Sequence, residues 1–202
     1  QVMINGKRYV LDATDKLTPP DLISFDLLNT NAFLVEKKST GVIALTDDSR
    51  MMKNFTGIQS EIDENGKVKG MVSVLSYDYA RVDRVNDYFK GSKEKLIAKY
   101  FQKESSNMEI DSIEIRNESI DSLGLEQKFH FTTAMPSSGE YRLVNLNLFG
   151  GMEKSPFVTD IRFTNINFGS QLYNSTNQVI KIPASMKPAV LPKNINLVMP
   201  DN

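Results

Sequence analysis

The feature that most constrains this chain is a strict alternation of apolar and polar residues on both sides of a turn signal. Ile58 and Ile62 share one face of an extended segment before the turn, and Val68 and Val72 do so after it. Because side chains alternate between the two faces of a strand, this pattern predicts a β-hairpin with one buried and one solvated face. The turn, residues 63–66, lacks the spaced oxygen ligands of a calcium loop, which favours an ordinary turn.

Short strands are also predicted through most of the chain after residue 105. They are separated by clusters of Asn, Asp, Gly, Ser and Pro, a pattern typical of a β-sandwich or barrel. Residues 141–149 are apolar at both parities, which predicts a strand in the centre of a sheet. The predicted strands are residues 108–116, 125–133, 140–149, 158–164, 176–182 and 195–199.

One stretch between the hairpin and these strands has helical periodicity. Tyr79, Val82 and Val85 recur at helical spacing, and Ser92 is a good N-cap for a second helix ending near residue 104. Aromatic residues at this spacing could line a ligand groove, but a face that packs on the sheet is favoured. We therefore predict a two-helix insert over about residues 79–104.

These patterns give a mainly β fold in two parts. The polar stretch at residues 46–50 suggests a boundary, so residues 49–202 are predicted to form an antiparallel β-sandwich with the helical insert. Residues 18–28 begin with Thr-Pro-Pro and are too apolar for a free linker. We expect that segment to lie along a hydrophobic surface.

The chemistry available to the chain is limited by two residue types. It has no cysteine, and its one histidine is His130. Disulfides, thiolate metal sites and a cysteine nucleophile within these residues are therefore excluded. His130 lies between Phe129 and Phe131, so if both rings face inward the imidazole faces water, which favours a surface role. We predict no metal site, no cofactor and no enzyme activity from this chain alone.

The charge balance bears on partners. The formal net charge is −1, from 24 basic and 25 acidic residues, which gives no basic field for nucleic acid. The longest apolar run covers residues 42–45, whereas a membrane-spanning helix needs about 20 apolar residues. We expect no nucleic-acid partner and no membrane span.

A predicted strand near the N-terminus follows an Asn5-Gly6 turn and stops at Asp12. The stretch Leu11-Asp12-Ala13-Thr14 resembles the segment that carries the aspartate of the Cys-His-Asp triad in transglutaminase-like enzymes. The resemblance implies that residues 1–48 are the tail of such a core and its exit segment. Asp12 would then be the third triad member, orienting the imidazole, provided that the Cys and His lie upstream.

The resemblance extends along most of the chain through several short motifs in a shared order. Together they are similar to the C-terminal part of exported bacterial transglutaminase-like proteins, whose C-terminal β-domain has no assigned function. The motifs are Gly66-x-Val68-x-Gly70, Tyr77-Asp78-Tyr79-Ala80, Ser155-Pro156-Phe157, Asn167-Phe168-Gly169, Ile182-Pro183 and Leu191-Pro192.

Two functions follow as expectations. The first is a non-catalytic accessory domain that supports or presents an upstream catalytic core, its expected partner, in the periplasm or outside the cell. The alternative is an envelope-associated module that binds a glycan or peptide ligand, which the lack of Trp and of an evident aromatic ladder disfavours. Whether the longer protein is an active cysteine protease or transferase is left open by these residues.

Overall fold

The computed structural model of this chain describes residues 2–12, 14–35, 37, 39–102, 107–149 and 168–198. These residues form several open sheets and two helices, which confirms the mainly β prediction. In chain order the elements are β1 (Val2–Ile4), β2 (Lys7–Tyr9), β3 (Thr30–Val35), β4 (Thr40–Leu45), β5 (Met51–Ile62), β6 (Lys67–Tyr77), α1 (Asp78–Lys90), α2 (Lys93–Tyr100), β7 (Glu109–Ile110), β8 (Glu114–Arg116), β9 (Leu125–Ala134), β10 (Ser137–Ser138), β11 (Tyr141–Arg142) and β12 (Gln171–Lys181).

The largest sheet has the strand order β12-β5-β6-β9-β7, and β8 also pairs with β9. Its centre is the predicted hairpin of β5 and β6. The face predicted to be buried is buried, and the face predicted to be solvated is largely exposed. At the turn, the Asp63 carboxylate accepts hydrogen bonds from the backbone amides of Asn65 and Lys67. Gly66 has a φ of +81°, a backbone conformation that favours glycine. The ordinary-turn interpretation is therefore supported by the local geometry.

Strand β12 departs from the antiparallel prediction. It runs parallel to β5, with Gln171 beside Met51 and Lys181 beside Glu61. A parallel pair requires a long connection that returns to the same end of the sheet, and residues 135–170 supply that length. Periodicity predicts which residues face the core but carries no information on strand direction, so the prediction of a purely antiparallel arrangement is wrong for β12. The sheet is mixed, and a β-sandwich remains a prediction.

Two predicted strands are largely missing where the structure describes them. The strand predicted at 140–149 is reduced to β11, followed by residues 143–145 without regular structure and turns at 146–149, and residues 195–198 have no regular structure. In the first segment, the Asn145 side chain accepts a hydrogen bond from the Asn147 amide, a local bond that competes with strand pairing. Leu148 and Phe149 still pack on the core. The predicted strand at 158–164, the whole Ser155-Pro156-Phe157 motif, and Ala13 and Asn167 of two other family-like motifs lie outside the described residues.

The helices begin and end close to the predicted bounds. α1 starts at Asp78, and the Ser92 hydroxyl caps α2 by accepting a hydrogen bond from the Lys95 amide. α2 ends at Tyr100, before the predicted end near residue 104. Their inner faces pack against one face of the largest sheet, where Leu96 and Phe101 join Phe129 in the main core. The prediction that the aromatic residues pack on the sheet is confirmed for Phe101 and Tyr100, whereas Phe89 is 52 % exposed and Tyr79 packs in a separate cluster with Leu22 and Leu28.

The N-terminal part of the chain contains two separate hairpins, β1–β2 and β3–β4. Asn5 and Gly6, both at positive φ, form the predicted turn between β1 and β2. Neither described helix has the length and apolar content that a membrane span requires.

Candidate functional site

The predicted triad residue, Asp12, lies three residues after the end of β2 and is partly exposed. Its carboxylate accepts hydrogen bonds from the backbone amide and the hydroxyl of Thr14, at 3.0 and 2.8 Å. These two bonds hold the pKa of Asp12 below its usual value, and the bond from the backbone amide has the larger effect. This is the local turn geometry expected of an Asp at a strand end. The triad role stays a prediction.

His130 lies on the water-facing side of β9, while Phe129 and Phe131 are buried. The predicted parity is therefore confirmed. No hydrogen bond or ion pair joins His130 to Asp12 within the described part of the chain. A catalytic pairing of these two residues has no support in the geometry.

A segment that follows Asp12, residues 15–28, packs against α1 and is called the docked segment below. Leu22 and Leu28 are each 4 % exposed and form an apolar cluster with Tyr79 of α1. The Phe25 ring packs edge-on against Tyr79, with ring centroids 5.6 Å apart. This contact confirms that the apolar stretch lies on a hydrophobic surface.

Polar contacts also fasten the docked segment. The Arg50 guanidinium donates one hydrogen bond to Asp21 in that segment and another, of 2.9 Å, to Asp78 at the start of α1. The Asn86 amide donates to Asp15 at 2.8 Å. The bond to Asp78 is the main cause that raises the pKa of Arg50 above its usual value. One cation thus joins the docked segment to the first turn of α1.

Asp78 has a φ of +50°, which is unusual for a residue with a side chain. It is the point where β6 ends and α1 begins with no intervening loop, and its carboxylate is paired with Arg50. Such strain persists only where the surroundings fix it. The Arg50 pair is one such constraint.

A cleft of about 440 Å³ opens between the docked segment and the first turn of α1. Arg81 forms its floor and is 2 % exposed. Its Nε donates to the Leu123 carbonyl at 3.2 Å, and its Nη2 donates to the carbonyls of Asn117 and Glu118 at 3.1 Å each. The remaining nitrogen, Nη1, lies 3.2 Å from an Asp121 oxygen but makes no hydrogen bond.

The charges of this cleft are largely satisfied from within the chain. Arg50 is paired with two carboxylates and Arg81 with three carbonyls and Asp121. Charge pairs of this kind position chain segments as readily as they bind a ligand. The cleft therefore supports a structural role more directly than a catalytic one.

A row of three aromatic rings crosses the outer face of the largest sheet, the face opposite the helices. Phe55 lies 6.0 Å from Tyr77 and 5.5 Å from Tyr173, measured between ring centroids. Phe55 and Tyr173 are 37 % and 45 % exposed. The row joins β6 and β5, which form one hairpin, to β12, which is far from both in sequence. The row was not predicted because the three rings meet only through strand pairing.

A second, smaller cavity of about 210 Å³ lies on the core face near β12, under residues 135–148. Ser60 Oγ and both side-chain amide atoms of Gln178 are buried there without a hydrogen-bond partner. Most other lining residues are apolar. Unpaired buried polar atoms are costly, so their presence marks this cavity as a second place for a small polar group.

Four residues with notable contacts in the structure were not predicted from the sequence: Arg50, Arg81, and the hydrogen-bonded pair Arg84 and Gln127. The sequence pattern does not distinguish the three arginines from ordinary surface charges. Gln127 could have been predicted to be buried, because it lies on the same face of β9 as Phe129. The described residues contain no cluster of three or more potential metal-ligating side chains.

The fold and these contacts define a mainly β protein with a two-helix layer on one sheet. Comparisons with protein-family models, with curated proteins and with solved structures find no match to this chain.

Proposed function

We propose that this chain is a non-catalytic accessory module of a transglutaminase-like protein in the periplasm or outside the cell. In this proposal the module supports a catalytic core that precedes it. The observation that carries it is the docked segment, which is fastened to α1 by the Leu22–Leu28–Tyr79 cluster and by Arg50. Asp12 lies three residues before that segment, so a core ending near Asp12 would be held close to the β-rich part.

The accessory role predicts that the chain alone has no transglutaminase or peptidase turnover. The measurement is amine incorporation into a glutaminyl peptide, together with peptide cleavage, using repurified protein. His130→Gln is the matched variant, since His130 is the one imidazole of the chain. Turnover that survives repurification and disappears in His130→Gln would refute the non-catalytic assignment.

The supporting role is tested in a longer protein that carries the upstream residues. Leu22→Ser combined with Arg50→Ala should release the docked segment, lower the melting temperature of the core and reduce any turnover. Val190→Ala, at an 87 % exposed position, is the control. An upstream core whose stability and activity are unchanged by the double substitution would rule out support through this segment.

A glycan- or peptide-binding module is the second candidate, and the aromatic row favours it. Exposed aromatic rings give sugars and apolar side chains a stacking surface. Tyr173→Ala should then weaken binding of soluble oligosaccharides or extended peptides in an NMR titration. Phe33→Ala removes a ring on β3 that is 68 % exposed, more than the 45 % of Tyr173, and should have no effect. Equal binding by both variants would argue against the row as a ligand site.

A further inference from the structure

Strand β12 lies at the edge of the largest sheet and is 11 residues long. Among the residues that the structure describes, no strand pairs with its outer side. An open edge presents a row of unpaired backbone N–H and C=O groups that can pair with another strand. The outer side of β12 is therefore a surface that can accept a partner strand.

The usual protections of an open edge are missing from β12. Its sequence, QLYNSTNQVIK, contains one charged residue, Lys181, and no proline. Protected edges carry charges or proline, or are short. The strand also exposes apolar side chains, with Leu172, Tyr173 and Val179 exposed by 46, 45 and 61 %. This composition indicates an edge that is covered by a partner.

The sequence of β12 is symmetric in character about Thr176. In an antiparallel pairing of two copies centred on Thr176, Leu172 of one copy lies opposite Ile180 of the other, and Tyr173 lies opposite Val179. Thr176 faces its own counterpart, and polar residues fill the positions between. Opposed side chains in such a pair are in contact, so matched apolar pairs stabilise it.

Other registers of the same pairing fit less well. Moving the centre by one residue, to Ser175, places Leu172 opposite Gln178 and Tyr173 opposite Asn177. Both apolar side chains then face polar ones. The central register also places no two like charges opposite each other, because the only charged residue, Lys181, faces Gln171. The character of the strand thus selects one register and one kind of partner.

The geometry points to a second copy of this chain as the partner of β12: we propose a two-fold symmetric dimer formed by antiparallel pairing of the two β12 strands. A dimer of this kind uses the same surface on both subunits. The dimer joins the largest sheet of one copy to the largest sheet of the other, so that the two form one continuous sheet. The aromatic row, which ends at Tyr173, then continues onto Val179 of the second copy.

Light scattering and sedimentation over a wide concentration range measure the mass directly. We expect twice the 22.8 kDa of one chain. Thr176→Lys and Thr176→Glu each place like charges opposite each other at the two-fold axis, so each variant alone should be monomeric. An equimolar mixture should recover the dimer, because Lys then faces Glu. Val190→Lys is the control and should stay dimeric.

Cross-linking tests the register. Thr176→Cys provides the only thiol of the chain, and opposed residues in antiparallel strands have Cα atoms about 4.5–5.5 Å apart, within disulfide range. Mild oxidation should give a covalent dimer. In Val179→Cys the two thiols lie ~20 Å apart, since a strand rises about 3.3 Å per residue, so little should form.

Three results would overturn the proposal. The first is a chain that is monomeric at every concentration while its sheet is intact by circular dichroism. The second is a dimer that survives both charge variants at Thr176. The third is cross-linking that is equally efficient at residues 176 and 179. Far-UV spectra and melting curves of every variant separate loss of dimer from loss of fold.

Discussion

The guanidinium of Arg84 on α1 donates a hydrogen bond of 2.5 Å to the side-chain oxygen of Gln127 on β9. Gln127 is fully buried, and the cation lies over the Tyr100 ring, 4.4 Å from its centroid. Burial lowers the pKa of Arg84 to about 10, so the group is still charged at neutral pH. A buried amide and an aromatic ring therefore replace water around a cation between the helices and the sheet.

Gln127→Leu should destabilise the fold, because the substitution removes the acceptor and leaves the cation in place. We expect a loss of about 2 kcal/mol in the free energy of unfolding, since hydrogen bonds to charged groups contribute roughly 1.5–3 kcal/mol. Urea denaturation measures it. Arg84→Met and the double variant complete the cycle. A double variant whose loss equals the sum of the single losses would mean that the two side chains do not interact.

Acid should weaken the contact between α1 and α2. The Asp87 carboxylate accepts hydrogen bonds of 2.5 Å from both Lys99 and Tyr100. Burial acts to raise the pKa of Asp87, but these bonds outweigh it and the pKa lies below its usual 3.8. A carboxyl with a lowered pKa in the fold stabilises it above the unfolded pKa, and this contribution is lost as pH falls through the folded pKa.

Asp87→Asn should therefore lower the free energy of unfolding at neutral pH by about 1 kcal/mol, the scale of one hydrogen bond. The variant should also lose less stability than the wild type when the pH falls below 3.8, the usual pKa of an Asp. Unfolding free energies measured from neutral to acidic pH check this. Asp48→Asn, at an exposed carboxyl that forms no hydrogen bond or ion pair with the residues that the structure describes, is the control and should follow the wild-type profile. Parallel profiles for wild type and Asp87→Asn would show that the carboxylate makes no pH-dependent contribution.

Gly70 is required by packing rather than by backbone conformation. A Cβ atom there would lie 2.6 Å from Phe131 Cε1 and 2.7 Å from the Gln59 carbonyl oxygen. Gly70→Ala should cost about 1–3 kcal/mol, the usual range for overpacking. In the adjacent strand, a Cβ at Gly57 would meet nothing closer than 3.9 Å, so Gly57→Ala is the control. Equal stability of the two variants would show that the Phe131 ring and the Gln59 backbone can both move aside.

Asp12→Asn should leave the unfolding midpoint of this chain unchanged, because the hydrogen bonds of this exposed carboxylate to Thr14 are local to a surface turn. In a longer protein with an active triad, the same change would remove the group that orients the imidazole. In the serine-protease template that loss is about 10⁴ in turnover. Steady-state rates of the two longer proteins decide between the roles. Unchanged turnover in an active longer protein would exclude the triad assignment.

Deleting residues 1–48 tests the predicted boundary. Residues 49–202 should keep a cooperative thermal transition, since the main core is built from β5 onward. The melting temperature should fall, because Tyr79 and Val82 lose Leu22 and Leu28. Scanning calorimetry measures both quantities. A broad, non-cooperative transition would place the boundary elsewhere.

The sequence predicts burial most accurately for strands that have one solvated face. On β5, β6 and β9, alternation correctly gave the buried residues, because a one-residue slip would expose the whole apolar set. The Ser92 cap was readable for a similar reason, since its hydrogen bond is local. The docked segment was predicted from its apolar content, although its partner Tyr79 was not.

Features that depend on distant pairing were not readable. The direction of β12, the aromatic row and the Arg50 contacts each require two parts of the chain to meet. The prediction of a central strand over residues 141–149 is wrong for another reason. Their apolar content resembles a central strand, but β9 already has β6 on one side and β7 and β8 on the other. With both neighbours of β9 occupied, this segment pairs only with β10, through Tyr141–Arg142, and ends in turns at residues 146–149 that pack Leu148 and Phe149 on the core.

The placement of β12 also fixes an order of events during folding. Its Asn174 pairs with Asn54, 120 residues away, whereas β5 and β6 are joined by a short turn. Local pairings form quickly, and pairings across long stretches wait for slow loop closure. On a ribosome, β5 would emerge and pair with β6 long before β12 is made. The side of β5 that pairs with β12 is therefore exposed until β12 has been synthesised. Nascent chains should be most prone to aggregate in that interval.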